Sequence, residues 1–391
     1  MNTPSPQRLR ELAGAAFLMA TSAIGPGFLT QTAVFSQKLG VDFAVVIALS
    51  TLLDIAAQLT IWRVIVASGE RAQVVANRVL AGSGTVLAIV VAAGGFVFNI
   101  GNVAGAGLGL QSMTGMGLEW GALISAALAT ILFLAPEAGK TMDMFAQAMG
   151  AVMLGLMLYV VVLVKPPFAE AALHTILPQR VDVAATLTLV GGTVGGYITF
   201  AGAHRLLDAG ITGVAAIPRV TMSAALGIGV AACMRVLLFM AALGVLAGGG
   251  VFDAGNPAAS VFTLPLGAVG TRLFGLVIWA AAMTSIIGSA YTSVSFLRTL
   301  SPRIEQHQKR VIVAFIGFST LILLSIGKPV QILVLAGFVN SFVVPFALAL
   351  MLVAAYKTAI VGEYKQPLWL TLAGAFVAAL LLGMSVYAVL G

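Results

Sequence analysis

About eleven apolar runs follow one another along this 391-residue chain, near 12–38, 41–67, 85–111, 118–135, 141–164, 181–210, 217–249, 263–297, 310–327, 329–356 and 367–390. Most are close to or beyond the roughly 20 residues that a helix needs to cross a bilayer core. Lipid offers no partner to open backbone groups, and the runs lack the alternation of barrel strands, so each is expected to be a helix. Composition agrees: 60% of residues are hydrophobic and only 8% charged, where a soluble domain carries about 25%. A large soluble domain is excluded. The whole chain, 1–391, reads as one all-α transmembrane domain.

Lysine and arginine orient it. With the N-terminus in the cytoplasm, that side receives Arg8, Arg10, Arg63, Arg71, Arg78, Lys140, Arg205, Arg219, Arg298, Arg303, Lys309, Arg310, Lys357 and Lys365. The other side receives only Lys38, Lys165, Arg180, Arg272 and Lys328. This asymmetry predicts a cytoplasmic N-terminus. It also accounts for the net charge of +7, so the basic balance is no sign of a nucleic-acid partner. Arg8 and Arg10 ahead of an apolar run ending in ATSA have the cast of a signal peptide, which is expected to be retained as part of the first span. Cys233, the one cysteine, stands inside an apolar run and is expected to be a small buried side chain rather than a reactive thiol.

Two runs are interrupted. Gly25-Pro26-Gly27 in the first and Gly195-Gly196 in the sixth remove donors or rigidity where the chain should be at membrane depth. Open backbone there is tolerated only where it lines a cavity or touches a ligand; the alternative is a kink re-satisfied by neighbours. The interrupted runs are each the first of a set of five, and an odd number of spans per set inverts the second copy. The reading is therefore a five-plus-five inverted repeat, 12–164 and 181–356, with an additional helix at 367–390. Paired discontinuous helices in inverted halves place a solute site at the midplane of a secondary transporter.

At these motifs the chain resembles the natural resistance-associated macrophage protein (NRAMP) family of divalent-metal and proton cotransporters, which have the LeuT-type fold of the amino acid-polyamine-organocation superfamily. The family's first break reads DPGN and this one GPGF, with Gly25 where the metal-ligating Asp belongs and Phe28 where the Asn belongs. Its sixth span reads TVMPHN and this one TVGGYI, so Gly195 stands for the metal-binding Met, Gly196 for the Pro and Tyr197 for the His. In the tenth span, AGFVNSFVVPFAL resembles SQVVLSLQLPFAL with Val343 in place of a Gln; in the third, NIGN, with Asn99 and Asn102, replaces the acidic DLAE.

The resemblance implies a transporter framework from which the metal ligands are gone, since a divalent-metal site needs converging oxygen, nitrogen or sulfur donors. Replacing Met by Gly is expected to free volume that Phe28 and Tyr197 wall, suiting a larger polar or anionic solute. Helices restarting after Gly27 and Gly196 would aim amides at an anion. A branch of the family associated with 5-oxoproline-degrading enzymes shares the stretch GGTVGGYITFAGAHRLLD, which suggests that solute class; the residue chemistry alone supports a small anion, down to bicarbonate. The expected substrate-binding set is Gly25, Pro26, Gly27, Phe28, Asn99, Asn102, Thr193, Gly195, Gly196 and Tyr197.

Asp54 and Arg235 fall near midplane in the second and seventh spans, symmetry mates that can form an intramembrane charge pair, structural or functional. Ser285, Ser289 and Thr292, flanked by Thr284 and Ser293, make a hydroxyl stripe in the eighth span. In LeuT-type transporters that span helps hold sodium, so H⁺ or Na⁺ is the expected coupling ion, against ordinary interhelical bonding. Gly101, Gly105 and Gly109 form a small-residue series for close packing. His204 with Asp208 at i+4 is a possible gate. No metal cluster, cofactor or nucleophile-base pair is found, so an enzyme is not expected. The expected function is secondary transport of a small polar or anionic solute across a bacterial inner membrane, with solute and bilayer as partners. A divalent metal and proton symporter is the first alternative, and a channel or membrane sensor the second.

Overall fold

The computed structural model describes residues 24–390, apart from the side chains of 136–140, 142 and 143. The expected first span starts at residue 12, so its portion before Ile24 and the basic residues Arg8 and Arg10 lie outside the described residues. The main helices are α1 (Pro26–Leu39), α2 (Phe43–Ser68), α3 (Ser83–Thr114), α4 (Leu118–Leu134), α5 (Pro136–Val164), α6 (Val183–Thr193), α7 (Tyr197–Asp208), α8 (Ile217–Ala247), α9 (Pro257–Leu297), α10 (Gln308–Ile326), α11 (Pro329–Ser341), α12 (Val343–Ala354) and α13 (Leu368–Leu390). Short helices at Ala72–Val79, Phe168–Ile176, Pro302–Gln306 and Thr358–Val361 lie in the connections. Among the described residues there is no strand, and nine stretches are long and apolar enough to cross a membrane, one of them containing both α1 and α2.

The sixth run is divided as its glycines predict, into α6 and α7. Two further interruptions were not expected. The tenth run divides at Phe342 into α11 and α12; Pro345 has no N–H to give the carbonyl of Ser341, which frees the turn between them. In α9, Gly267 adopts φ 60° and ψ −145°, two residues after Pro265, so the helix beginning at Pro257 is separated there from the long apolar stretch that continues to Leu297.

Small residues set the packing distances. The series in α3 serves three partners: a methyl group added at Gly101 would stand 3.2 Å from Leu333 of α11, at Gly105 2.1 Å from the Pro26 ring, and at Gly109 2.8 Å from Trp279 of α9. Backbones can then approach without a side chain between them. In the same way α6 lies directly on α11, with Gly191 against the carbonyl of Gly337. Gln31 of α1 threads between them, donating from Nε2 to the carbonyl of Leu333 at 3.0 Å. The helix α1 is thereby enclosed by α3, α6, α8, α9 and α11, while α2 packs on α8. Trp62 of α2 is buried, its Nε1 donating to the carbonyl of Thr199 in α7 at 2.8 Å; its ring occupies the space left by the missing side chain of Gly202.

Cys233 corrects one expectation. It is exposed on α8, on the outer surface of the described bundle, rather than buried.

The connector between α5 and α6 is tied to the end of α1. His174 Nδ1 lies 2.7 Å from Asp42 Oδ1, which also accepts from the Gln179 amide at 3.0 Å. Arg180 donates to the carbonyl of Lys38, and Lys38 pairs with Asp182 at 2.8 Å. Asp182 also caps α6 by accepting from the Ala185 amide. Burial acts to raise the Asp182 carboxyl, but the Lys38 hydrogen bond and the Ala185 amide outweigh it and hold the group below the usual carboxylate range.

Candidate functional site

The start of α1 and the break between α6 and α7 lie deep in the bundle: residues 25 to 28 and 193 to 198 are all buried. Gly25 is extended and precedes Pro26, which is preset for the first helical position. The amides of the first turns of α1 and α7 have no intrahelical carbonyl to bond, and both helices present the positive end of their dipole at the break. Gly196 has φ 53° and ψ −126°, a conformation essentially confined to glycine.

A ladder of uncharged polar groups meets the first break. A methyl group at Gly25 would stand 3.3 Å from Ser285 Oγ and 3.8 Å from Asn102 Oδ1. Asn102 donates to Ser289 Oγ at 3.4 Å, Ser289 to Asn99 Oδ1 at 3.1 Å, and Asn99 to Ser319 Oγ at 2.9 Å. The phenol of Tyr197 faces Asn102 and Ser289. The ladder therefore joins α3, α7, α9 and α10 beside the start of α1. Asn102, Ser285 and Tyr197 stand next to the breaks, whereas Asn99 spends both ends of its amide on serines. Of the hydroxyl stripe, Ser285 reaches the first break and Ser289 belongs to the ladder. Thr292 is buried on the same helix without a side-chain bond to either.

The space expected from the loss of the family's Met is closed. A methyl group at Gly195 would come within 2.4 Å of the carbonyl of Gly191 and 2.8 Å of that of Asn340, so backbone fills the volume. Phe28 and Tyr197 do not wall one cavity either: the Phe28 ring lies under Arg235 at 4.1 Å, while Tyr197 packs edge-on against Phe98 at 5.5 Å. An apolar cavity of about 120 Å³ lies to one side, lined by Leu29, Met153, Met234, Val277 and Thr284 among others.

Asp54 and Arg235 are both buried and do not approach within the 4.0 Å of an ion pair. Thr193, the last residue of α6, stands between them: its hydroxyl accepts from Arg235 Nη1 at 3.1 Å and faces the Asp54 carboxylate. His204 and Asp208 do not pair with each other as the i+4 spacing suggests. His204 Nε2 accepts from the Ala72 amide at 3.2 Å and Asp208 binds Arg71 at 2.7 Å, so both tie α7 to the connection after α2.

Sequence reasoning missed Asn340. Its side chain lies between Gly94 of α3 and Gly196, donates to the carbonyls of Gly94 and Ala336, and leaves Oδ1 buried without a hydrogen-bond partner. The available signal was an amide inside an apolar run, five residues before Pro345. Gln31, whose Oε1 is likewise buried without a partner, was missed for the same reason.

A short helix starting at a buried Gly-Pro-Gly beside a helix broken at buried glycines, both wrapped by long packed helices, defines the class of LeuT-fold transporters. The chain belongs to the Nramp family: residues 16–391 match the family described as "Natural resistance-associated macrophage protein-like". It is 54% identical over 376 residues to an uncharacterized membrane protein of Bacillus subtilis, covering 96% of this chain and 93% of that one. A Haemophilus influenzae membrane protein is 54% identical over 374 residues, 96% of this chain and 94% of its own. Among solved structures, the Eremococcus coleocola manganese transporter superposes with a TM-score of 0.80 at 16% identity, over 99% of this chain and 88% of that one. MhsT in complex with L-phenylalanine gives 0.69 at 14%, over 95% and 98%. At those identities the likeness is one of fold.

Proposed function

We propose that this Nramp-family protein is a secondary transporter of a small polar or anionic solute, such as a small organic acid of the 5-oxoproline type or bicarbonate, working by alternating access around the two breaks. One observation carries the reading. Among the groups at the breaks are the N-termini of α1 and α7, Asn102, Ser285 and Tyr197, none of them an acid, with dipole ends that favour negative charge. Gly25 and Gly195 provide no carboxylate or thioether, and the described residues contain no group of three or more His, Cys, Asp or Glu able to hold a metal ion. A desolvated dication at this place would lack the counter-charge it needs.

The structural likeness to a manganese transporter supplies the competing reading, metal and proton symport. A thermal-shift screen in detergent separates them, because a ligand selective for the native state raises its melting temperature. The expected result is stabilisation by one or more of acetate, bicarbonate and 5-oxoproline, with none from Mn²⁺. Micromolar Mn²⁺ binding by calorimetry overturns the reading. Concentrative, saturable uptake in proteoliposomes distinguishes a carrier from a channel or sensor. The coupling ion follows from the same assay with Na⁺ replaced by K⁺: Ser285 alone of the stripe reaches the first break, so uptake independent of Na⁺ is expected.

A further inference from the structure

We propose that Arg235 is the residue that recognises the solute's negative charge and that Asp54 carries one proton with each anion, making transport electroneutral; the inference rests on the anion reading above. Arg235 is connected to both breaks at once. Its guanidinium lies 4.1 Å above the ring of Phe28, the third residue of α1, and its Nη1 donates to Thr193, the last residue of α6. It is 3% exposed, yet Nε and Nη2 have no hydrogen-bond partner. Those two nitrogens share one edge of the planar group, the edge that binds a carboxylate or bicarbonate through two parallel hydrogen bonds.

Asp54, 2% exposed, has Oδ1 equally without a partner. Among the described residues, the charge acting on Asp54 is Arg235 and the charge acting on Arg235 is Asp54. With Asp54 ionised the two charges cancel. Adding a solute anion would leave one net negative charge far from water, which is costly. Protonating Asp54 restores neutrality: the solute anion then takes the place of the Asp54 carboxylate as the counter-charge of Arg235, and anion and proton enter or leave together. Thr193, at the end of α6 and facing both groups, places this exchange at the joint between the half-helices.

The test is binding of acetate, bicarbonate and 5-oxoproline, each counted as its anion, measured by thermal shift and calorimetry between pH 6 and 8. For wild type, affinity should rise about tenfold for each pH unit lowered, the signature of one proton taken up per anion. Asp54→Asn should bind with affinity that no longer depends on pH. Arg235→Gln should bind at least about thirtyfold more weakly, with Arg235→Lys intermediate. Because Arg235→Gln alone leaves Asp54 buried and unbalanced, the double variant Asp54→Asn/Arg235→Gln, which removes both charges, is the control for folding. Anion binding at wild-type affinity by that double variant would overturn the assignment and leave the transporter reading intact. A wild type bound by none of the three anions would overturn the anion reading itself. Pyrrolidin-2-one, which has the ring of 5-oxoproline without its carboxylate, should fail to bind wild type; binding equal to that of 5-oxoproline also counts against Arg235.

Discussion

Asn340 occupies the space that a side chain at Gly196 would fill: a Cβ built there would stand 1.8 Å from Asn340 Oδ1. The break between α6 and α7 and the unexpected break between α11 and α12 are thus fitted to each other. Gly196→Ala should lower stability by about 3 kcal/mol, from the positive φ and the collision together. In an Asn340→Ala background the collision is removed and the φ cost remains, so the two changes should be non-additive. Melting curves of the four proteins in detergent check this; strict additivity would show that the contact is not tight.

Gly105 seats the Pro26 ring, with an added methyl group 2.1 Å from Pro26 Cβ. Gly105→Ala should push the start of α1 away from α3 and reduce uptake sharply. Gly101→Ala meets only the tip of Leu333 at 3.2 Å and should be mild. Equal effects of the two in a transport assay would contradict the packing described.

Re-creating the family's metal motif should fail at one position. Gly25→Asp needs only a small shift, its Cβ lying 3.3 Å from Ser285 Oγ, whereas Gly195→Met drives into the backbone of Gly191 and Asn340. The first variant should fold and the second should lose several kcal/mol, about 3 by analogy with other overpacked cores. The double variant should show no Mn²⁺ binding by calorimetry.

Asp182 makes stability depend on pH in a defined direction. Its carboxyl titrates lower in the folded protein than in the unfolded chain, so its contribution is complete above the ordinary carboxylate value of about 4 and is lost as pH falls through the lower folded value. Asp182→Asn should melt below wild type at pH 7, and the gap should close in acid. A gap that widens on acidification would show the opposite sign.

The fold was legible because its signals are local. Apolar run length gives the spans, and Gly-Pro-Gly or Gly-Gly gives the breaks at 25–27 and 195–196. The consequence of a single proline four residues downstream was not legible: Pro345 releases Ser341, and nothing near Asn340 announces that its amide crosses to α3 and the sixth-run break. The site was legible in its members and less so in its arrangement. Asn102, Ser285, Ser289 and Tyr197 do come together, but the sequence could not show that backbone would fill the volume vacated at Gly195 or that Phe28 would face Arg235. Those outcomes depend on how closely α6 approaches α11, a distance set by glycines on both helices.

Trp62 gives the protein an optical gauge. Its indole is bonded to the carbonyl of Thr199 and wedged against Gly202, both on α7, while Trp120 and Trp369 are exposed. A swing of α7 away from α2 would admit solvent to this ring and shift its emission to longer wavelength. Replacing Trp120, Trp279 and Trp369 with Phe would leave a one-tryptophan protein in which that swing can be timed without an attached dye.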